Sequence, residues 1–121
     1  MTERLTSTAA QRSGDAAEDR AARFLERRGL RLVARNYRTR QGEIDLVAQD
    51  GPVLVFVEVR MRSANRFGDG AETVDWRKQR RLIAAARHYL MRLGREPACR
   101  FDVVSLEGDE PTWIRGAFDC A

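Results

Sequence analysis

The chain has 121 residues, 43% of them hydrophobic and 33% charged. That predicts one domain with one core and excludes a chain that is disordered throughout. Basic residues exceed acidic ones by 22 to 18, a net charge of +4. All the basic residues but Lys78 are arginine, whose fork suits phosphate oxygens better than an ammonium does. An anionic partner is therefore indicated, most simply nucleic acid, although an arginine-rich solvated surface has the same composition. No apolar run reaches the roughly 18 residues of a spanning helix, so no membrane is expected. The N-terminal segment has no continuous apolar stretch of the kind a secretory signal carries, which makes the cytoplasm the expected location. Cys99 and Cys120 provide neither a disulfide framework nor a zinc quartet.

In chain order, residues 1–12 lack periodicity and are expected to be a flexible N-terminal tail, with a single domain over 13–121. A helix is expected from Ser13 or Gly14 to Gly29, with acids in its first turn, Arg27 and Arg28 in its last and glycine as C-cap. Three strands follow at 30–37, 43–49 and 53–61, the last two joined at Asp50-Gly51. The third is apolar on both faces, as a central strand is. A glycine-containing loop (63–73) leads to a second helix, opened by Asp75 as N-cap and closed at Gly94. Strands at 100–106 and 112–118 finish the chain around a turn at 107–109. The order is α-β-β-β-α-β-β: an α/β fold with one mixed five-stranded sheet flanked by helices.

Side chains alternate along a strand, so Leu54, Phe56, Glu58 and Arg60 share one face of the third strand, and Glu43, Asp45 and Val47 one face of the second. A hairpin closing about Asp50-Gly51 puts Glu43 opposite Glu58 and makes Asp45 and Glu58 diagonal neighbours. Their Cβ atoms would then be about 7–8 Å apart, a span that one divalent cation with oxygen ligands can bridge. Two acids leaving water side by side call for compensation, either a cation or an arginine such as Arg60. A structural ion pair is the competing account.

On a helical wheel Glu18 falls near the centre of the arc that carries Ala21, Ala22 and Leu25. The second helix has an apolar arc of Trp76, Leu82, Ile83, Ala86, Tyr89, Leu90 and Leu93, with Gln79 near its middle. Lys78 flanks the arc on one side and Arg80 and Arg87 on the other, while Arg77, Arg81, His88 and Arg92 are expected to face outward. A buried Gln79 would need hydrogen-bond partners. His88 is expected to be solvated and without a role.

Glu18, GEIDLV (42–47), FVEVR (56–60), KQ (78–79) and RFDVV (100–104), in that order, resemble the YraN family of predicted endonucleases. That family is akin to Holliday junction resolvases and to the PD-(D/E)xK nucleases. The likeness runs from Gly14 to Phe118 and implies a restriction-endonuclease-like core. It implies that Asp45, Glu58 and the carbonyl of Val59 hold Mg²⁺ or Mn²⁺ for phosphodiester hydrolysis. Glu18 would bind a second ion or orient the attacking water, Gln79 would assist, and Arg60 would stand where the family's lysine does. An arginine keeps its proton and so can clamp a phosphate but not act as a base. Lys78 is the candidate to take over part of that role.

The expected activity is metal-dependent endonucleolytic cutting of DNA, including branched or flapped DNA, with homodimerisation as resolvases show. A nucleic-acid-binding module with little or no catalysis is the alternative, although acids facing a phosphate backbone oppose it. An assembly subunit is a third reading. Phosphate contacts are expected from Arg38, Arg40, Arg62, Arg66 and Arg80, which flank the two acids in the chain.

Overall fold

The structure, a computed structural model, describes residues 9–61 and 75–118. Its elements follow the expected order: α1 (Ala9–Arg27), β1 (Arg31–Arg38), β2 (Glu43–Asp50), β3 (Val53–Arg60), α2 (Trp76–Leu93), β4 (Cys99–Ser105) and β5 (Thr112–Phe118). The loop at 63–73, with Arg62 and Arg66, lies outside the described residues, as do Cys120 and the first eight residues of the expected tail. Helix α1 starts at Ala9 rather than at Ser13 or Gly14, so its first turn contains no acid. Asp15, Glu18 and Asp19 are interior to it.

The strands lie in the order β1-β2-β3-β4-β5, parallel between β3 and β4 and antiparallel elsewhere. Central β3 is buried on both faces from Leu54 to Glu58. The sheet divides the interior in two. On one side Leu46, Ala48, Val55, Val57 and Val104 pack against Ala21, Ala22, Phe24 and Leu25 of α1. On the other side Ile44, Val47, Leu54, Phe56, Phe101 and Val103 pack against Leu82, Ala85 and Ala86 of α2. Burying a Val, Leu, Ile or Phe side chain contributes about 1.5–3 kcal/mol, so each face fixes its helix firmly.

The hairpin register differs from the expected one. Asp50 pairs with Val53 and Val47 with Phe56, so the two-residue turn is Gly51-Pro52. Asp50 stays in the ladder because Arg100 donates to its carboxylate at 2.9 Å. Gly51 supplies a φ of +58°, and a proline held near −65° follows; that sequence of signs belongs to a type II′ turn. Each residue of β2 thereby meets a partner two positions further along. A shift of two leaves every side chain on its face.

Alternation breaks once in β2. Ile44 joins the α2-side core and Leu46 the α1-side core, so the strand is twisted at Asp45 between them. The opposing position in β1 is Asn36, in the left-handed region at φ +51°. Asparagine tolerates that conformation better than most residues.

Helix α2 is capped as its sequence suggests. Asp75 accepts from the backbone N–H of Lys78 at 2.9 Å, and Gly94 (φ +82°) donates to the carbonyl of Leu90 at 3.1 Å. It approaches the sheet at Gly42, where a Cβ would lie 2.1 Å from the carbonyl oxygen of Arg81. Only glycine fits there, because the obstructing atom is backbone. Gly42→Ala therefore lifts α2 off β2. A loss of about 1–3 kcal/mol is expected, in the range of overpacked interiors, measured as a lower urea midpoint with an unchanged slope.

Candidate functional site

Asp45 and Glu58 come together where β2 and β3 separate. The β2–β3 ladder ends at Leu46–Val57. The next inward N–H of β3, that of Val59, goes to Oδ2 of Asp45 at 2.8 Å instead of to a β2 carbonyl. A side chain thus replaces a backbone partner and props the two strands into a fork. By register Asp45 stands level with Glu58, directly across rather than diagonally as expected. Glu58 is 5% exposed.

Lys78 reaches this pair from α2, with Nζ 2.9 Å from Oε2 of Glu58. Glu18 approaches from α1 and is held by Asn36, whose Nδ2 donates to Oε1 at 2.9 Å. The left-handed backbone of Asn36 and this hydrogen bond belong to one device: the twist opposite Asp45 turns Asn36 toward α1. Burial raises the pKa of Glu18 and the Asn36 hydrogen bond opposes that rise. At Asp45 burial acts first and the Glu58 charge second, against the Val59 N–H, and the carboxyl is pushed up to about 8. The Glu18 charge adds to the rise.

These residues line a cleft of about 570 Å³ between the two helices, with Glu43, Asp75, Arg77, Arg81 and Met61 completing much of its wall. Arg77 and Arg81 are exposed, as expected, and also line the cleft. Their helix overhangs the edge of the fork, so the flank carrying Arg77, Lys78 and Arg81 faces the cleft while Leu82 packs on the sheet. For the same reason Trp76, expected in the apolar arc, is 58% exposed.

His88 is also not free in solvent. It is half-buried, with Nδ1 2.6 Å from the hydroxyl of Tyr37, because α2 lies close enough to β1 for its flank to be covered. Arg60 and Gln79 are not among the residues lining the cleft. Gln79 is half-buried on α2. Arg60 keeps its Nε buried without a hydrogen-bond partner among the described residues. Arg40 and Arg80 are exposed, and Arg38 forms an exposed ion pair with Glu43 at 3.3 Å.

Sequence reasoning missed Asn36, although an asparagine amid strand formers marks an irregular backbone. It also left unassigned Asp102, which is buried and accepts from Arg100, from Trp113 Nε1 at 2.9 Å and from the Gly116 N–H at 2.9 Å. That network ties β4 to β5 and, through Asp50, to the turn end of the hairpin.

No group of three or more acidic, histidine or cysteine side chains among the described residues is arranged to hold a metal ion alone. Asp45 and Glu58 nonetheless fit Mg²⁺ or Mn²⁺, because a hard cation of this size commonly takes one or two carboxylates and keeps several waters. Burial and then the Glu58 charge raise the Asp45 pKa, a direction that a cation between the two carboxylates would oppose. Glu18 adds negative charge nearby.

A mixed five-stranded α/β protein with paired acids in a sheet fork, faced by one lysine and an arginine rim, is the class these features define. The chain belongs to the uncharacterised protein family UPF0102, whose model matches residues 17–106. It is 50% identical over 112 residues to a UPF0102 protein of Janthinobacterium sp. (strain Marseille), covering 93% of this chain and 91% of that one. It is 53% identical to one of Methylibium petroleiphilum (89% and 94% covered) and 57% identical to one of Cupriavidus taiwanensis (90% and 84% covered). No described helix is long and apolar enough to cross a membrane.

Asp45 makes folding pH-dependent with a definite sign. The folded chain holds this proton up to about pH 8, whereas an unfolded aspartate releases it near 4. Between those values the native state binds more protons, so stability falls as pH rises. Asp45→Asn keeps an acceptor for the Val59 N–H and removes the titration. The wild-type melting temperature is expected to fall between pH 5 and 8 relative to that of Asp45→Asn.

Proposed function

We propose that the protein is a metal-dependent endonuclease that hydrolyses phosphodiester bonds in DNA, branched or flapped DNA included. The observation that carries this reading is the pairing of half-buried Asp45 with buried Glu58, the latter met by the Lys78 ammonium at 2.9 Å, inside an arginine-rimmed cleft. A protein that only bound nucleic acid would gain nothing from acids aimed at a phosphate backbone, which they repel.

In this reading Asp45, Glu58 and the carbonyl of Val59 hold Mg²⁺ or Mn²⁺. Such an ion, when bound, lowers the pKa of a water molecule and offsets charge on the phosphate. The chain's own residues do the rest. Arg77 and Arg81 on the cleft wall bind phosphate oxygens and orient the scissile group. Lys78 holds a proton at Nζ beside Glu58 and stabilises the charge that develops as the phosphodiester is attacked. An ammonium can also release that proton, which the Arg60 guanidinium cannot. Arg60 therefore contributes field but no proton transfer. Glu18, fixed by Asn36, orients water on the α1 side of the fork. Arg38, Arg40 and Arg80 extend the basic surface along the DNA backbone, with Arg62 and Arg66 as candidates from the neighbouring segment.

The test incubates purified protein with labelled branched, flapped, single-stranded and duplex DNA in Mn²⁺ or in EDTA. Cutting is expected in Mn²⁺ only, with Asp45→Ala and Glu58→Ala reduced to background. Lys78→Ala should lower the rate about 10²-fold, at the lower end for a positioned proton-transfer or charge-stabilising group. Independently of activity, Mn²⁺ at pH 8 should raise the melting temperature of the wild type but not of Asp45→Asn. Cutting that survives Asp45→Ala, or DNA affinity insensitive to salt, overturns the reading.

A further inference from the structure

We infer that Trp76 is a stacking platform for an unpaired base of a DNA strand whose backbone enters the cleft. This inference rests on the nuclease reading and narrows its substrate to DNA with a single-stranded nucleotide beside the cut.

Trp76 is the first residue of α2 and 58% exposed, although it is among the largest apolar side chains in the chain. A solitary exposed aromatic needs no explanation. This one is not solitary in chemistry. The guanidinium of Arg77 lies 5.2 Å from the indole centroid and that of Arg80 lies 5.5 Å from it. Arg77 also lines the cleft, as do Asp75 and Lys78 on either side. The indole therefore stands at the lip of the cleft and shares a guanidinium with its wall.

Helix α2 holds that position rigidly. Asp75 caps its first turn, Leu82, Ala85 and Ala86 are buried under it, and Gly42 lets its backbone touch the sheet. A ring fixed in this way loses little conformational freedom when a ligand stacks on it.

The chemistry favours a nucleotide over another apolar partner. Exposed cation–π contacts are weak, whereas a guanidinium gains more from a phosphate, with which it forms two parallel hydrogen bonds. A DNA strand supplies both exchange partners at once. Its phosphates take Arg77, Arg80 and Arg81, and its base takes the indole face they leave. A base within a duplex is already stacked on both sides and cannot do this; an unpaired one can.

The experiment measures binding in EDTA, where no cutting is expected, by fluorescence anisotropy. Wild type, Trp76→Ala and Trp76→Phe are titrated against a labelled 15-residue oligothymidylate and against a blunt duplex. Trp76→Ala should weaken oligothymidylate binding about tenfold, equivalent to about 1.4 kcal/mol for one stacked base, with duplex affinity changed less than twofold. Trp76→Phe should retain most of the single-strand affinity. Oligothymidylate should also quench the indole emission of wild type, and that quench should vanish in Trp76→Phe, where Trp113 remains as an internal reference.

Unchanged single-strand affinity in Trp76→Ala overturns the inference, as do equal losses on both DNAs or binding without a quench. If wild type cuts DNA through Asp45 while Trp76→Ala binds normally, stacking alone falls and the nuclease reading stands. If wild type binds neither DNA, both fall.

Discussion

The hydrogen bond from the Val59 amide to Asp45 is the contact on which the rest of the molecule's architecture turns. It ends one ladder and satisfies a backbone donor that would otherwise be orphaned inside the protein. Had β2 continued beside β3, the two strands would have closed over the space that Asp45, Glu58 and Lys78 now share. The substitution of a carboxylate for a peptide carbonyl has an electrostatic cost, since it brings a second acid next to buried Glu58. Burial and the Glu58 charge together keep that carboxyl protonated far above the ordinary aspartate range. Such an arrangement is poorly suited to stability alone, and strongly perturbed acids in a cleft are where chemistry is usually found.

The sheet delivers its two acids at the fork while the helices bring groups from opposite sides. Glu18 comes from α1, on the face formed by Leu46, Val55 and Val57; Lys78 comes from α2, on the face formed by Val47, Leu54 and Phe56. Each side has a local brace. Asn36 turns its backbone left-handed to hold Glu18, and Gly42 omits a side chain so that α2 can settle on β2. Two separate cores thus converge on one cleft, and neither core alone could assemble it. In β4, one position from the level of Glu58, Asp102 gathers Arg100, Trp113 and Gly116. Removing one partner of so buried a charge costs about 3–5 kcal/mol, so β4 and β5 are firmly tied beside the fork.

Much of this was legible in the amino-acid sequence, for reasons that also explain the failures. Element order followed from periodicity and from glycines at element ends, and β3 declared itself central by its unbroken run of apolar residues. The convergence of Asp45 and Glu58 survived a wrong turn position because the error was two residues, and only an odd shift moves a side chain across a sheet. The Asp50-Gly51 pair resembled a turn, yet Asp50 had a partner in Arg100, fifty residues away, and local signals carry no such information. The errors on α2 share one origin. A helical wheel treats the whole helix as lying on the sheet, whereas its first turns project past the fork. Trp76 was misassigned there, the exposed Arg77 and Arg81 were not seen to line a cleft, and His88 was missed where the helix flank meets Tyr37. Glu18 was visible on the helical wheel, but its pairing with Asn36 depends on a backbone twist that propensity does not foresee.

The turn that displaced Asp50 has a consequence of its own. Gly51 and Pro52 are exposed at the tip of the β2–β3 hairpin. At about 3.3 Å per residue they stand roughly 20 Å from Glu58, at the opposite end of the same strand. Loop tips of this kind tolerate insertions and attachments. The molecule therefore carries, at the tip of its central hairpin, a handle by which it could be tethered to a surface or labelled with a dye while the fork at the far end stays open to whatever it receives.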